Sequence, residues 1–177
     1  MTPPLGLVLA AGEGRRLGEP KAPFVVEGER LVDRAVRVLQ EGGCDPVLVV
    51  LGAWVGDVPG SVVVVNTEWA SGLGSSLRTG LQAAAALDGC DRAVVTLVDL
   101  PGLTGAAVRR VVAHPGDLVA AAYAGRRGHP VAFGRAHWEA VVREASGDHG
   151  ARDYLAAHPV ALVEVGDLAS DSDLDTV

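Results

Sequence analysis

Apolar positions recur along this chain with two different spacings. Short, mostly apolar runs at Leu5–Ala10, Val47–Leu51, Val62–Asn66, Ala93–Val98, Leu118–Ala122, Val131–Phe133 and Ala161–Val165 have the length and valine content of buried strands. Between them, Leu31–Glu41, Ser75–Leu87, Gly105–Ala113, Arg135–Ala145 and Gly150–Ala157 carry apolar residues at helical spacing. In the first of these, Leu31, Ala35, Val38 and Leu39 form one stripe, while Asp33, Arg34 and Arg37 fall elsewhere. That pattern predicts a helix packed on a sheet with a solvated outer face. Strands alternating with helices predict an α/β fold whose central sheet is largely parallel.

Composition narrows the picture. A chain of 177 residues with 49% hydrophobic and 21% charged residues suits one domain, residues 1–177, with a sizeable core. Its net charge of −7 argues against a general nucleic-acid-binding face, which needs many cations to neutralise phosphates. The start, Met1-Thr2-Pro3-Pro4, carries no basic segment, and the apolar runs are of strand length. A cytoplasmic protein that does not enter membranes is therefore expected. Cys44 and Cys90 stand far apart without metal-ligand spacing, so neither a zinc site nor a disulfide is expected.

Positive charge is local instead. The first strand empties into Leu9-Ala10-Ala11-Gly12-Glu13-Gly14-Arg15-Arg16-Leu17-Gly18-Glu19-Pro20-Lys21. Glycines let the backbone bend with its N–H groups turned toward an anion, and Arg16 and Lys21 add fixed charge. A Walker loop would need Gly-Lys-Ser/Thr, but Lys21 follows Pro20 and precedes Ala22. A dinucleotide fingerprint would need a third glycine where Leu17 stands, and its acidic partner would have to be Asp33, which comes early. A polyphosphate loop of another kind is the reading that uses these residues.

Three further stretches carry candidate chemistry. Asn66 to Leu77 is a strand end, a Gly/Ser turn and a helix start, with Ser75 placed to cap the helix. Ala93–Val98 delivers the carboxylate of Asp99 at a strand's C-terminal end, where open α/β sheets place ligands, and Pro101 breaks the chain just beyond it. Thr104 is placed to cap the following helix, leaving Asp99 for a ligand. At the end of the chain, Asp171, Asp173 and Asp175 alternate, so an extended segment would put all three on one side; their mutual repulsion predicts a solvated tail. His129, held extended by Pro130, and Gly147-Asp148-His149-Gly150-Ala151-Arg152 are further polar candidates, with Asp148 placed to cap the last helix.

Leu-Ala-Ala-Gly-x-Gly-x-Arg-x-Gly-x-Pro-Lys at Leu9–Lys21 resembles the signature loop of nucleotidyltransferases with a glycosyltransferase-A-like fold. Within them it is most similar to the molybdenum cofactor cytidylyltransferases and their MobA-like relatives. Asn66, Trp69, Gly72 and Ser76-Leu77-Arg78-Thr79-Gly80-Leu81, Asp99-Leu100-Pro101, Gly128-His129-Pro130-Val131-Ala132-Phe133, Gly147–Arg152 and Asp173-Leu174-Asp175-Thr176 resemble further family segments. The resemblance implies a Rossmann-like three-layer sandwich with a mostly parallel central sheet. It implies a nucleotide held by Leu9, Ala10, Ala11, Gly12, Gly14, Arg16, Lys21, Asn66, Gly72 and Ser76. Arg16, Lys21 and Asp99 would be catalytic, with Mg²⁺ on Asp99 and Asp173, Asp175 being the other candidate. His129 and Arg152 would face the second substrate.

The implied reaction is attack by an acceptor's phosphate on the nucleotide's α-phosphorus, with release of pyrophosphate. Leu-Ala-Ala-Gly resembles the cytidylyltransferase form of the loop, where guanylyltransferases tend to carry Leu-Ala-Gly-Gly, so the resemblance implies CTP over GTP; the Ala11 methyl would narrow the space beside the base. The implied acceptor is the molybdenum cofactor, with a molybdoenzyme as recipient. Another phosphorylated acceptor, or a nucleotide-binding module without turnover, stands as the alternative.

Overall fold

The structure is a computed structural model that describes residues 2–174. Seven strands form one sheet: β1 (Leu5–Ala10), β4 (Val47–Leu51), β5 (Val62–Val65), β6 (Arg92–Leu97), β7 (Leu118–Tyr123), β8 (Arg126–Gly134) and β9 (Ala161–Glu164). Their spatial order is β5-β4-β1-β6-β8-β7-β9, and all pairings are parallel except those of β8 with β6 and β7. A separate two-stranded ribbon, β2 (Val25–Val26) with β3 (Glu29–Arg30), feeds α1 (Leu31–Glu41).

Alternation along the strands builds two cores. Val8 and Ala10 of β1, with Val47, Val49 and Leu51 of β4, point to one face, where they meet α1 and α3 (Gly105–Val112). Leu5, Leu7 and Leu9, with Leu48 and Val50, point to the other, where they meet α2 (Leu73–Ala85), α4 (Arg135–Glu144) and α5 (Arg152–Ala157). A sheet buried on both faces needs apolar residues at every position, which is why β1 and β4 read as unbroken apolar runs. The result is the three-layer α/β sandwich expected from the sequence, with a mostly parallel sheet.

Several elements differ from expectation in ways that bear on the site. β8 extends over nine residues, well beyond Val131–Phe133. Its first half, Arg126-Arg127-Gly128-His129-Pro130, lacks strand composition, and the strand is imposed by pairing with β7. A two-residue turn with Ala124 and Gly125 both at positive φ joins the two strands, the backbone form that suits a twisted hairpin. α2 begins at Leu73 rather than Ser75, and no side chain caps it. Ser75 instead sits inside the first turn and donates to the carbonyls of Glu68 and Gly72. α5 begins at Arg152, and Asp148 does not cap it; Asp148 lies in a separate 3₁₀ turn, Gly147–His149.

Thr104 does cap α3, accepting from the Ala107 N–H at 3.2 Å. Residues 168–174 are anchored by hydrogen bonds, although Ser170, Ser172 and Asp173 stay exposed to solvent. The Thr104 hydroxyl donates to the Leu168 carbonyl, Ser170 N–H donates to the Gly102 carbonyl, and Arg126 pairs with Asp171. Cys44 and Cys90 are both buried free thiols. Among the described residues, no helix is long and apolar enough to cross a membrane.

Candidate active site

The C-terminal ends of β1 and β6, the N-terminus of α2 and the Gly147–His149 turn converge on three adjoining cavities. Leu9, at the end of β1, and Leu73, at the start of α2, line all three and stand at their junction.

The first cavity, about 360 Å³, is bounded by Gly12, Gly14, Arg15, Arg16, Lys21 and Asp99. Its loop folds back on itself, with the Gly18 N–H donating to the Gly14 carbonyl at 2.8 Å. Gly14 has φ +67°, and a side chain there would meet the Glu19 carbonyl oxygen at 1.9 Å, so this turn excludes any residue larger than glycine. Lys21 Nζ lies 2.9 Å from Asp99 Oδ2, both side chains being mostly buried. Arg15 pairs with Glu13 at the loop's outer edge, and Arg16 is exposed on the cavity rim.

The second cavity, about 340 Å³, is different in kind. Leu77 of α2, Val95 and Leu97 of β6, Phe133 of β8 and Leu155 of α5 give it apolar walls. Arg127, His129, Asp148, His149 and Arg152 supply its polar lining. His129 is half-buried here, and its carbonyl accepts from the Tyr123 hydroxyl at 2.8 Å. Desolvation pushes the His129 imidazole down to about 4; Asp99 opposes that shift and Arg127 adds to it. The ring is therefore neutral near pH 7.

The third cavity, about 380 Å³, opens on the other side of the glycine loop between Ala11, Trp69, Ser71, Gly72, Ser76 and Asp148. Gly72 has φ +113°, and an added Cβ would lie 2.6 Å from Asp148 Oδ1 and from the Gly147 carbonyl group. Gly72 is thus where α2's entry turn and the Gly147–His149 turn press together. Asp148 consequently lines both this cavity and the second.

Most residues singled out from the sequence meet here. Leu9, Ala11, Gly12, Gly14, Arg16, Lys21, Gly72, Ser76 and Asp99 all line the first or third cavity. Two do not. Ala10 points into the core beneath the sheet, because alternation in β1 turns it away from the Leu9 side. Asn66 is buried behind the wall: its Nδ2 donates to Ser75 Oγ at 2.9 Å and Ser76 Oγ at 3.0 Å, and its Oδ1 accepts from the Glu68 N–H. It braces the turn that presents Ser76. Conversely, Leu73, Leu97 and Leu155, none of them singled out from the sequence, line the second cavity beside Leu77. The one available signal was the position of Leu73 inside a Gly/Ser turn.

The donor set at β6 fits a hard divalent cation. Such an ion takes one or two carboxylates and completes its shell with water and ligand phosphates. Asp99 supplies one carboxylate, and the Leu174 N–H donates to the Asp99 carbonyl at 3.0 Å, which brings the exposed Asp173 to the same loop. Asp175 lies outside the described residues. Among the described residues no cluster of three or more His, Cys, Asp or Glu forms a ready-made metal cage.

The chain and its architecture are matched by known proteins. A family model described as MobA-like NTP transferase domain matches residues 6–162. The chain is 40% identical to nicotine blue oxidoreductase of Paenarthrobacter nicotinovorans, over 97% of this chain and 92% of that protein. It is 34% identical to the molybdenum cofactor guanylyltransferase of Rhodobacter capsulatus, over 77% of this chain and 66% of that protein. The structure of Rv0371C from Mycobacterium tuberculosis H37Rv, solved as a complex with manganese, superposes with a TM-score of 0.78 at 26% identity, covering 97% of this chain and 94% of that one. A glycine loop after β1 and a carboxylate at the end of β6, carried on this sheet, agree with that match: the chain belongs to the MobA-like nucleotidyltransferase family.

Proposed function

We propose that this protein transfers a cytidylyl group from CTP to the phosphate of the molybdenum cofactor and releases pyrophosphate. The observation that carries the reading is the meeting of three unlike cavities around Leu9 and Leu73. A cationic, glycine-lined cavity suits a triphosphate. The cavity between Ala11, Trp69, Gly72 and Ser76 suits a base and ribose. The apolar cavity with Arg127 and Arg152 at its edge suits a flat heterocycle bearing a phosphate.

In the reaction, an acceptor phosphate oxygen attacks the α-phosphorus of CTP, and the bond from that phosphorus to the leaving pyrophosphate breaks. No covalent enzyme intermediate forms, so the side chains act by positioning and charge. The glycine-loop N–H groups and Arg16 bind the phosphates, while Lys21 takes up charge developing on the α-phosphate. Asp99 would hold the Mg²⁺, with Asp173 the second candidate ligand; the ion would neutralise phosphate-oxygen charge. His129, neutral at working pH, presents a hydrogen-bonding edge toward the acceptor without adding charge. The Ala11 methyl, beside Trp69 and Gly52, narrows the base cavity and favours a pyrimidine.

A second reading has its own support, the 40% identity to a protein named nicotine blue oxidoreductase. Redox chemistry would draw on the same apolar cavity for a flat ring. Leu17, in place of a third glycine, weighs against a dinucleotide on the loop.

One experiment separates the readings. Purified protein is incubated with Mg²⁺, molybdenum cofactor and either CTP or GTP, and pyrophosphate release is followed. Reduction of nicotine blue by NADH or NADPH is measured in parallel. CTP-dependent release supports the proposal, and GTP-dependent release reassigns the base. Dye reduction without pyrophosphate overturns nucleotidyl transfer.

A further inference from the structure

The Lys21–Asp99 pair places a cation on the carboxylate proposed to hold the metal. Lys21 Nζ approaches Asp99 Oδ2 to 2.9 Å, and side-chain exposures of 15% and 18% mean that water screens the contact only in part. A divalent ion binding the same carboxylate group would meet a positive charge within contact distance. An ion on this carboxylate would therefore be bound against the Lys21 charge, which weakens its hold.

The backbones carrying the two groups are held. Val98 N–H donates to the Leu9 carbonyl, and Leu174 N–H donates to the Asp99 carbonyl at 3.0 Å, which fixes Asp99 from both sides. Lys21 is flanked by buried Ala22, whose carbonyl accepts from the Val32 N–H, and the Lys21 carbonyl itself accepts from Phe24 N–H. Lys21 itself lines the first cavity and carries its ammonium on a four-carbon stem with several rotatable bonds.

We infer that Lys21 is the resident counter-cation of Asp99 and hands the carboxylate over when a triphosphate enters. Resting on the nucleotidyl-transfer reading, this adds an order of binding. In the nucleotide-free protein, Lys21 suppresses metal binding at Asp99. An entering triphosphate draws the Lys21 ammonium onto its own oxygens, which frees Asp99 for the ion arriving with the nucleotide. The same lysine therefore opposes metal in one state and supports the metal–nucleotide complex in the other. A nucleotide-free enzyme built this way does not collect metal ahead of its substrate.

The test measures Mn²⁺ binding to the protein by electron paramagnetic resonance, with no turnover. Wild type, Lys21→Met and Lys21→Arg are titrated with Mn²⁺ alone and with Mn²⁺ plus CTP, and thermal melts confirm folding. Removing the charge in Lys21→Met is expected to tighten nucleotide-free Mn²⁺ binding by about tenfold or more, as loss of a close like charge requires. The same substitution is expected to weaken Mn²⁺–CTP binding. Lys21→Arg, which keeps the charge, is expected to leave nucleotide-free binding weak.

A merely structural role for Lys21 would move both affinities in the same direction. Unchanged or weaker nucleotide-free Mn²⁺ binding in a folded Lys21→Met protein overturns the hand-over. If wild type binds Mn²⁺ with CTP while that result holds, the metal reading of Asp99 survives alone. If no variant binds Mn²⁺ with or without nucleotide, both fall together.

Discussion

The two ends of the site are built from different materials. The end formed by the first and third cavities is backbone and fixed charge: Gly12, Gly14 and Gly72, with Arg16, Lys21 and Asp99. Most of it comes from one loop and one helix start, and its tolerances are set by turns that exclude a Cβ. The end formed by the second cavity is side-chain surface from α2, β6, β8 and α5, brought together from remote parts of the chain. The contrast teaches how one fold can keep a constant chemistry beside a variable specificity. A turn that tolerates no Cβ changes little without breaking, whereas an apolar wall can be recut by single substitutions that preserve volume.

The largest effect should come from the backbone-and-charge end. Asp99→Ala is expected to lower kcat/KM for pyrophosphate release by about 10²–10³-fold, the usual cost of losing a preorganised charge contact. A variant that melts like wild type and turns over within a few fold of it would remove Asp99 from the chemistry.

Next come the paired glycines. Gly72→Ala combines φ +113° with a Cβ 2.6 Å from Asp148 Oδ1, and a loss of about 1–3 kcal/mol of stability is expected in urea denaturation. Gly12→Ala has nothing within 4 Å of its Cβ, so its stability should stay within about 0.5 kcal/mol of wild type. Comparable losses in both would show that the loop's glycines serve folding in general rather than one tight contact.

At the apolar end the effect should be smaller and confined to one substrate. Arg152→Ala is expected to raise acceptor KM about tenfold, the low end for an exposed charged hydrogen bond, with nucleotide affinity unchanged in calorimetry. A matching loss of CTP affinity would show that the two ends are not separable.

The effect at His129 is absent near neutral pH and emerges only on acidification. Its folded-state value near 4 lies below the ordinary 6.5, so the unfolded chain binds the proton first on acidification. Its contribution is complete above about pH 6.5 and is lost as the pH falls from there toward 4. Urea midpoints of wild type and His129→Gln should therefore diverge across that window and run parallel above it. Parallel curves throughout would mean that the imidazole is hydrated enough to keep its ordinary value.

How far each end was legible follows from how it is assembled. The strands β1, β4 and β6 and the helix α1 could be read directly, because burial on both sheet faces or on one helix face forces a local pattern. The glycine loop, Lys21 and Asp99 could be read because their chemistry lies within short stretches next to those strands. β8 could not be traced to its full length, since Arg126–Pro130 become strand only through pairing with β7. Asn66 became a ligand candidate through the family resemblance of its segment, and the sequence does not show that its side chain is occupied by Ser75 and Ser76.

By itself, then, the sequence determined the layered α/β architecture and which polar residues stand at the ends of its strands. Local spacing decides which faces bury and where a chain can turn. Tertiary structure alone decided that Lys21 rests on Asp99, that residues 168–174 are pinned beside it, and that Asp148 stands between two cavities. Those are contacts between segments far apart in the chain, set by how the packed layers bring loop ends together, and no local periodicity encodes them.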